Sequence, residues 1–194
     1  MRFLTLLPVL FGIPSLATHI DTLFPHLLIP LKSWEPNTAF PTEPDAYVTY
    51  SSRTGAQQWT AINFDVPNNN AIMCRLRFLV NTNFAMNAPF ALYGTPDFTI
   101  NISRIKPELV NGVTTWDNRP PITDFYDSYT LMQDADGKAT VRENVSEWFL
   151  CPKGNVAQFV MHPGSQRDLM LYWYELDYSP ENGGPHGIVL EMHT

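Results

Sequence analysis

Apolar and polar residues alternate with a period of two through most of the chain, and no stretch sustains the 3.6-residue period of an amphipathic helix. In residues 59–66, Thr60, Ile62, Phe64 and Val66 share one face while Trp59, Ala61, Asn63 and Asp65 take the other. That pattern predicts a half-buried strand ending at Pro67. Residues 72–80 repeat it, with Ile72, Cys74, Leu76, Phe78 and Val80 inward and Arg75 and Arg77 outward. Phe98, Ile100 and Ile102 line a third strand, and Val141, Glu143 and Val145 one face of a fourth. Further strands are expected at 156–162, 169–176 and 187–192, separated by the breakers Pro163-Gly164 and residues 179–185. Asp136-Gly137, between two alternating segments, predicts a hairpin turn.

Eight or nine such strands without a long helix predict an all-β fold, an antiparallel β-sandwich of jelly-roll type. The longest irregular piece expected is 107–129, and long loops in compact domains tend to carry function.

The first residues change the picture from fold to location. Met1-Arg2, the apolar run 3–13 and the small residues Ser15-Leu16-Ala17 have the layout of a secretory signal peptide, which predicts cleavage after residue 17 and a single domain over 18–194. No later stretch approaches the roughly 20 apolar residues of a membrane span. A net charge of −7 with singly scattered Lys and Arg argues against nucleic acid as a partner. In an oxidising compartment the chain's two cysteines, Cys74 and Cys151, most simply form one bridge, the alternative being two free buried thiols. Asn101-Ile-Ser103 and Asn144-Val-Ser146 are glycosylation acceptors, and strand alternation turns Asn101 and Asn144 away from the apolar faces.

Candidate chemistry is sparse. Glycoside hydrolysis needs two converging carboxyls, for which Glu175 with Asp177, or Asp117, Asp124 and Asp127, are the suppliers. The histidines show no ligand spacing, no serine sits on a G-x-S-x-G elbow, and Asp134-Ala-Asp136-Gly137 lacks the later glutamate of a calcium loop. Neither a catalytic residue nor a metal or cofactor site is therefore assigned. Aromatic residues are plentiful: Tyr172 and Tyr174 oppose Trp173 on one strand, and Trp116, Phe125, Tyr126 and Tyr129 fall in the long irregular piece. Trp116, Asp117, Asn118 and Arg119 combine a stacking ring with polar neighbours able to take sugar hydroxyls, which makes them the expected ligand site.

Several segments carry a resemblance. Phe24-Pro-His-Leu-Leu-Ile-Pro30 is followed by Asn63-Phe-Asp-Val-Pro67, Cys74-Arg-Leu-Arg-Phe78 and Trp148-Phe-Leu-Cys-Pro152. Tyr172-Trp-Tyr-Glu-Leu-Asp-Tyr178 and Gly187-Ile-Val-Leu190 complete the order. Together they resemble the fungal ubiquitin-three-binding protein But-type C-terminal domain, over nearly all of residues 18–194. The resemblance implies a secreted fungal β-sandwich. Asp45-Ala-Tyr-Val48, Ile62-Asn-Phe-Asp65, Thr115-Trp-Asp-Asn-Arg-Pro120 and Val145-Ser-Glu-Trp148 are also similar to landmarks of jelly-roll cell-surface and carbohydrate-binding domains. The expectation is a non-enzymatic extracellular protein associated with cell-wall polysaccharide or another surface glycan. A secreted protein-interaction or effector module is the alternative, and a carbohydrate-active enzyme ranks third.

Overall fold

The computed structural model describes residues 17–133, 139–145 and 147–194. The Asp136-Gly137 turn, the Asp134 and Asp136 pair, Ser146 and nearly all of the proposed signal peptide lie outside the described residues. Thirteen strands are described: β1 (His19–Leu23), β2 (Leu27–Lys32), β3 (Asp45–Tyr50), β4 (Gln57–Asp65), β5 (Met73–Leu79), β6 (Phe90–Gly94), β7 (Phe98–Ile105), β8 (Ile122–Gln133), β9 (Ala139–Glu143), β10 (Phe149–Leu150), β11 (Val156–Pro163), β12 (Leu169–Tyr174) and β13 (Gly187–His193). The only described helical pieces are the single 3-10 turns Phe84–Met86 and Pro180–Asn182.

All pairings are antiparallel. A four-stranded sheet runs β1-β13-β5-β10. A nine-stranded sheet runs β6-β12-β3-β4-β11-β7-β8-β9, with β2 also paired to β4. The expected antiparallel β-sandwich is the architecture found.

Alternation decides what fills the space between the sheets. Leu76, Phe78, Ile188 and Leu190 from the small sheet meet Ile62, Phe64, Ile100, Ile102, Phe159 and Trp173 from the large one, all at most 2% exposed. Trp173 packs edge-on against Phe78, while Tyr172 and Tyr174 on the opposite face are half-buried. Two tyrosines of β8 stitch the sheets together. The Leu76 amide donates to the Tyr126 hydroxyl, which donates to the Glu147 carbonyl, and the Tyr129 hydroxyl donates to the Leu76 carbonyl. Burial pushes the Tyr126 hydroxyl up to about 12 and the Tyr129 hydroxyl higher still, so both remain donors. Cys74 and Cys151 are bridged, with Cα atoms 5.1 Å apart, which pins β5 to the segment after β10.

Four expectations need correction. The strand at 59–66 is not half-buried: Thr60, Ala61, Ile62, Asn63 and Phe64 are all inaccessible, because a second cluster of Ile29, Leu31, Ala61, Ile105, Leu109 and Val160 covers the outer face of the large sheet. Ile72, placed inward by alternation, is 53% exposed because it precedes the strand rather than belonging to it. The irregular piece stops at residue 121. Phe125, Tyr126 and Tyr129 lie on β8, where a register shift opposite Ile102 and Ser103 buries the adjacent Tyr126 and Asp127 together and so hides the strand's period. The strand begun at Leu169 ends at Tyr174.

Candidate functional site

The outer face of the large sheet presents Trp59 from β4, His162 from β11 and Ser103 from β7. His162 lies 5.0 Å from the Trp59 ring. Its Nδ1 lies 3.2 Å from the Pro163 carbonyl, which can only accept, so Nε2 takes the Ser103 hydroxyl at 3.0 Å. Burial lowers the His162 basicity, and the ring stays neutral in the physiological range.

The segment 106–121 crosses this face because its backbone is fastened there. The Leu109 amide donates to Gln158 Oε1, and Gln158 Nε2 donates to Asn63 Oδ1. At the far end the Asp117 amide donates to the Pro36 carbonyl. Residues 115–119 then close a tight turn in which Asn118 and Thr115 exchange bonds: the Thr115 amide donates to Asn118 Oδ1 at 2.6 Å, and the Asn118 amide to Thr115 Oγ1 at 3.2 Å. Asn118 Nδ2 donates to the Val113 carbonyl, and Arg119 Nη1 to the Trp116 carbonyl.

Trp116 is half-buried, packed on the second apolar cluster and edge-on to Trp59 at 4.8 Å. The Arg119 guanidinium lies over both rings, 4.3 Å from the Trp116 centroid and 4.9 Å from that of Trp59. Its burial costs it some basicity, partly restored by Asp117. The open stacking face expected at Trp116 is thus shared with a cation of the same loop. Asp117 is exposed, and Arg119 and Trp59 are each half-buried. With Pro120, Pro121 and the 45% exposed Ile122 they line a shallow depression of about 300 Å³, at the lower bound for small-ligand sites. Phe125, opposite Ser103 in the ladder, is 51% exposed.

The expected site residues therefore sit together, but in two roles. Asn118 and Arg119 hold the turn, whereas Asp117 is free to meet a ligand. Trp59 and His162 complete the patch. They were recognisable only as outward positions of two strands, and nothing in the sequence says that those strands are neighbours.

The carboxyls considered for hydrolysis stand in unlike settings. Asp124 lies 3.7 Å from Arg104, Asp127 is fully buried, and Asp117 and Asp177 are exposed. Glu175 is buried at its carboxyl end and borders a separate cavity. Among the described residues no three His, Cys, Asp or Glu are grouped to hold a metal ion, and no helix is long and apolar enough to cross a membrane. Asn144 is exposed beyond the end of β9, whereas Asn101 is half-buried in the middle of β7, with Gly164 directly against its carboxamide.

No curated protein matches the chain. The model of the family described as the Ubiquitin 3 binding protein But2 C-terminal domain matches residues 23–180, which takes in twelve of the thirteen strands wholly or in part, both cysteines and the whole outer-face patch. With the greater part of its length inside that match, the chain belongs to the But2 C-terminal domain family.

Proposed function

We propose that the protein is a secreted, non-enzymatic binding module for an extracellular glycan such as cell-wall polysaccharide, with the outer-face depression as its contact site. The observation that carries this reading is the make-up of the depression: the carboxylate residue Asp117, the guanidinium residue Arg119, the indole residue Trp59 and the apolar Pro120, Pro121 and Ile122. Carboxylate and guanidinium groups take sugar hydroxyls, and proline and isoleucine suit the C–H face of a pyranose ring. The signal-like residues 1–17 and the single disulfide are in keeping with an oxidising, extracellular setting. The test is co-sedimentation of the secreted protein with a panel of insoluble polysaccharides and intact walls. Asp117→Ala should release it without lowering its melting temperature, and binding unaffected by that change overturns the assignment.

The alternative, a docking module for an extracellular protein, draws on the exposed Phe125 and Ile122 beside an arginine–tryptophan stack, a composition found at interface hot spots. The family's name refers to a protein that binds another protein, which points the same way. Phe125→Ser would abolish capture of such a partner and leave polysaccharide binding unchanged.

A further inference from the structure

Arg104 of β7 stands where the strand's alternation calls for an apolar residue. It continues the inward face of Ile100 and Ile102, while Ser103 and Ile105 belong to the outer side of the sheet. Residues of β7, β8 and β11 from the large sheet and of β10 from the small one border a cavity of about 260 Å³ at this end of the sandwich. Its wall is mostly apolar, with Phe149, Leu150, Pro152 and Phe159 in it, and Arg104 is the one charged residue that lines it. The guanidinium lies 4.7 Å from the Phe149 ring centroid and 5.2 Å from that of Tyr126. Asp124 comes no nearer than 3.7 Å to Nη1, beyond hydrogen-bonding distance, and its Oδ2 takes the Thr123 hydroxyl instead. Nε is shut off from solvent without a partner. The terminal nitrogens make no hydrogen bond to the described residues either, but they are not enclosed with Nε, and the side chain is 33% exposed. They are the groups that a ligand can reach.

We propose that this cavity binds a small apolar carboxylic acid, an aryl- or alkyl-carboxylate of the size of phenylpropionate, with its carboxylate on the terminal nitrogens of Arg104 and its body against Phe149, Leu150 and Pro152. A planar guanidinium offers parallel N–H groups to the two oxygens of a carboxylate, and the rings beneath it hold its plane without using those donors. One cation with Asp124 at its side offsets a single negative charge, which favours a monoanion over phosphate or sulfate. The apolar wall disfavours a uronate, whose hydroxyls would lose water and find no partners there. Leu150, 73% exposed although it lies on a strand, gains a cover from the ligand's body. The volume lies just under the range of drug-sized sites and suits one small acid.

The test is a heteronuclear NMR titration of the full chain with phenylpropionate, phenylpropionamide, galacturonate and a short peptide ending in phenylalanine. Phenylpropionate should bind with a dissociation constant in the millimolar range or below, shifting the amides of Arg104, Phe149 and Leu150 and sparing the 115–119 turn. That pattern keeps the site distinct from the outer-face depression. The amide should bind at least about tenfold more weakly, because a charge-assisted bond is lost, and galacturonate should leave the same signals in place. Arg104→Gln should abolish the preference for acid over amide. Asp124→Asn, which removes the competing carboxylate, should tighten phenylpropionate binding by about two- to fivefold, an effect that a merely structural arginine would not produce. Should Arg104→Gln fail to fold, Leu150→Glu decides, since it sets a like charge at an exposed position of the wall and should weaken the acid but not the amide. Equal binding of acid and amide, shifts by galacturonate at the same residues, tighter binding of the peptide than of phenylpropionate, or no gain in Asp124→Asn overturns the proposal.

Discussion

Asp127 and Glu143, on the neighbouring strands β8 and β9, set two carboxyl groups against each other, and the buried Asp127 Oδ2 and Glu143 Oε1 find no other donor. Asp127 is fully buried, with Oδ1 accepting the Ser128 and Val145 amides. Glu143 faces Arg77 at 3.8 Å, and Arg77 in turn meets Glu191, the partner of Arg75. Two carboxyls so placed can bond to each other only when one of them carries a proton. Desolvation, that bond and the Asp127 charge all raise Glu143 above the ordinary glutamate range, against the pull of Arg77 and Arg75.

A pH dependence of defined sign follows. A carboxyl whose folded pKa is raised binds its proton more tightly folded than unfolded. Its contribution is fully present below the ordinary glutamate range and is lost as pH rises through the raised folded value. Glu143→Gln keeps a donor toward Asp127 at every pH. The variant should match wild type in melting temperature near pH 4 and exceed it near pH 8. An equal offset at both pH values would remove the shared proton from the account.

The disulfide, which ties β5 to the end of its own sheet neighbour β10, should act chiefly on the unfolded chain. Closing the 77-residue separation between Cys74 and Cys151 corresponds to about 4.5 kcal/mol of loop entropy, an upper estimate. Replacing both cysteines by alanine should lower the urea midpoint accordingly and leave the near-ultraviolet spectrum intact, because Phe149 still packs against Tyr126 and Phe159. A loss under 1 kcal/mol would mean that the unfolded chain is already held compact.

Glycan occupancy should differ between the two acceptors. Asn144 is exposed, although its amide nitrogen also donates to Ser128 Oγ and Thr130 Oγ1. Asn101 sits mid-strand between His162 and Ser128, hemmed by Gly164. In a eukaryotic secretory host, peptide mass mapping should find Asn144 more fully modified than Asn101. Equal occupancy would show that modification precedes the pairing of β7.

Strand alternation was legible wherever one face is apolar and the other polar, as along Cys74, Leu76 and Phe78 or Ile100 and Ile102. It misled where a sheet is covered twice. Ala61 reads as an outward position and is one, yet it is buried because Leu109 and Val160 arrive from distant parts of the chain. The shift in β8 defeated the period outright by burying consecutive residues. For the site, residue types pointed to the 116–119 turn. Whether a polar side chain serves a ligand or its own backbone depends on turn geometry, and the Asn118–Thr115 exchange cannot be read from composition.

The Trp116 turn provides the last test, because its fastening and its ligand contact reside in different residues. Arg119 donates to the Trp116 carbonyl and stacks on two indoles, interactions together worth on the order of 1 to 3 kcal/mol. Arg119→Ala should therefore lower stability by that amount and quench or shift the tryptophan fluorescence as Trp59 and Trp116 lose their common cover. Arg119→Lys should recover only part of it, since an ammonium cannot lie flat over two rings while donating sideways to a carbonyl. Asp117→Ala, whose side chain makes no hydrogen bond in the turn and acts on Arg119 only through its charge, should change stability far less than Arg119→Ala and leave the fluorescence as it is. If the lysine variant is as stable as wild type, the guanidinium's planar contact is incidental, and Asn118 alone holds the turn.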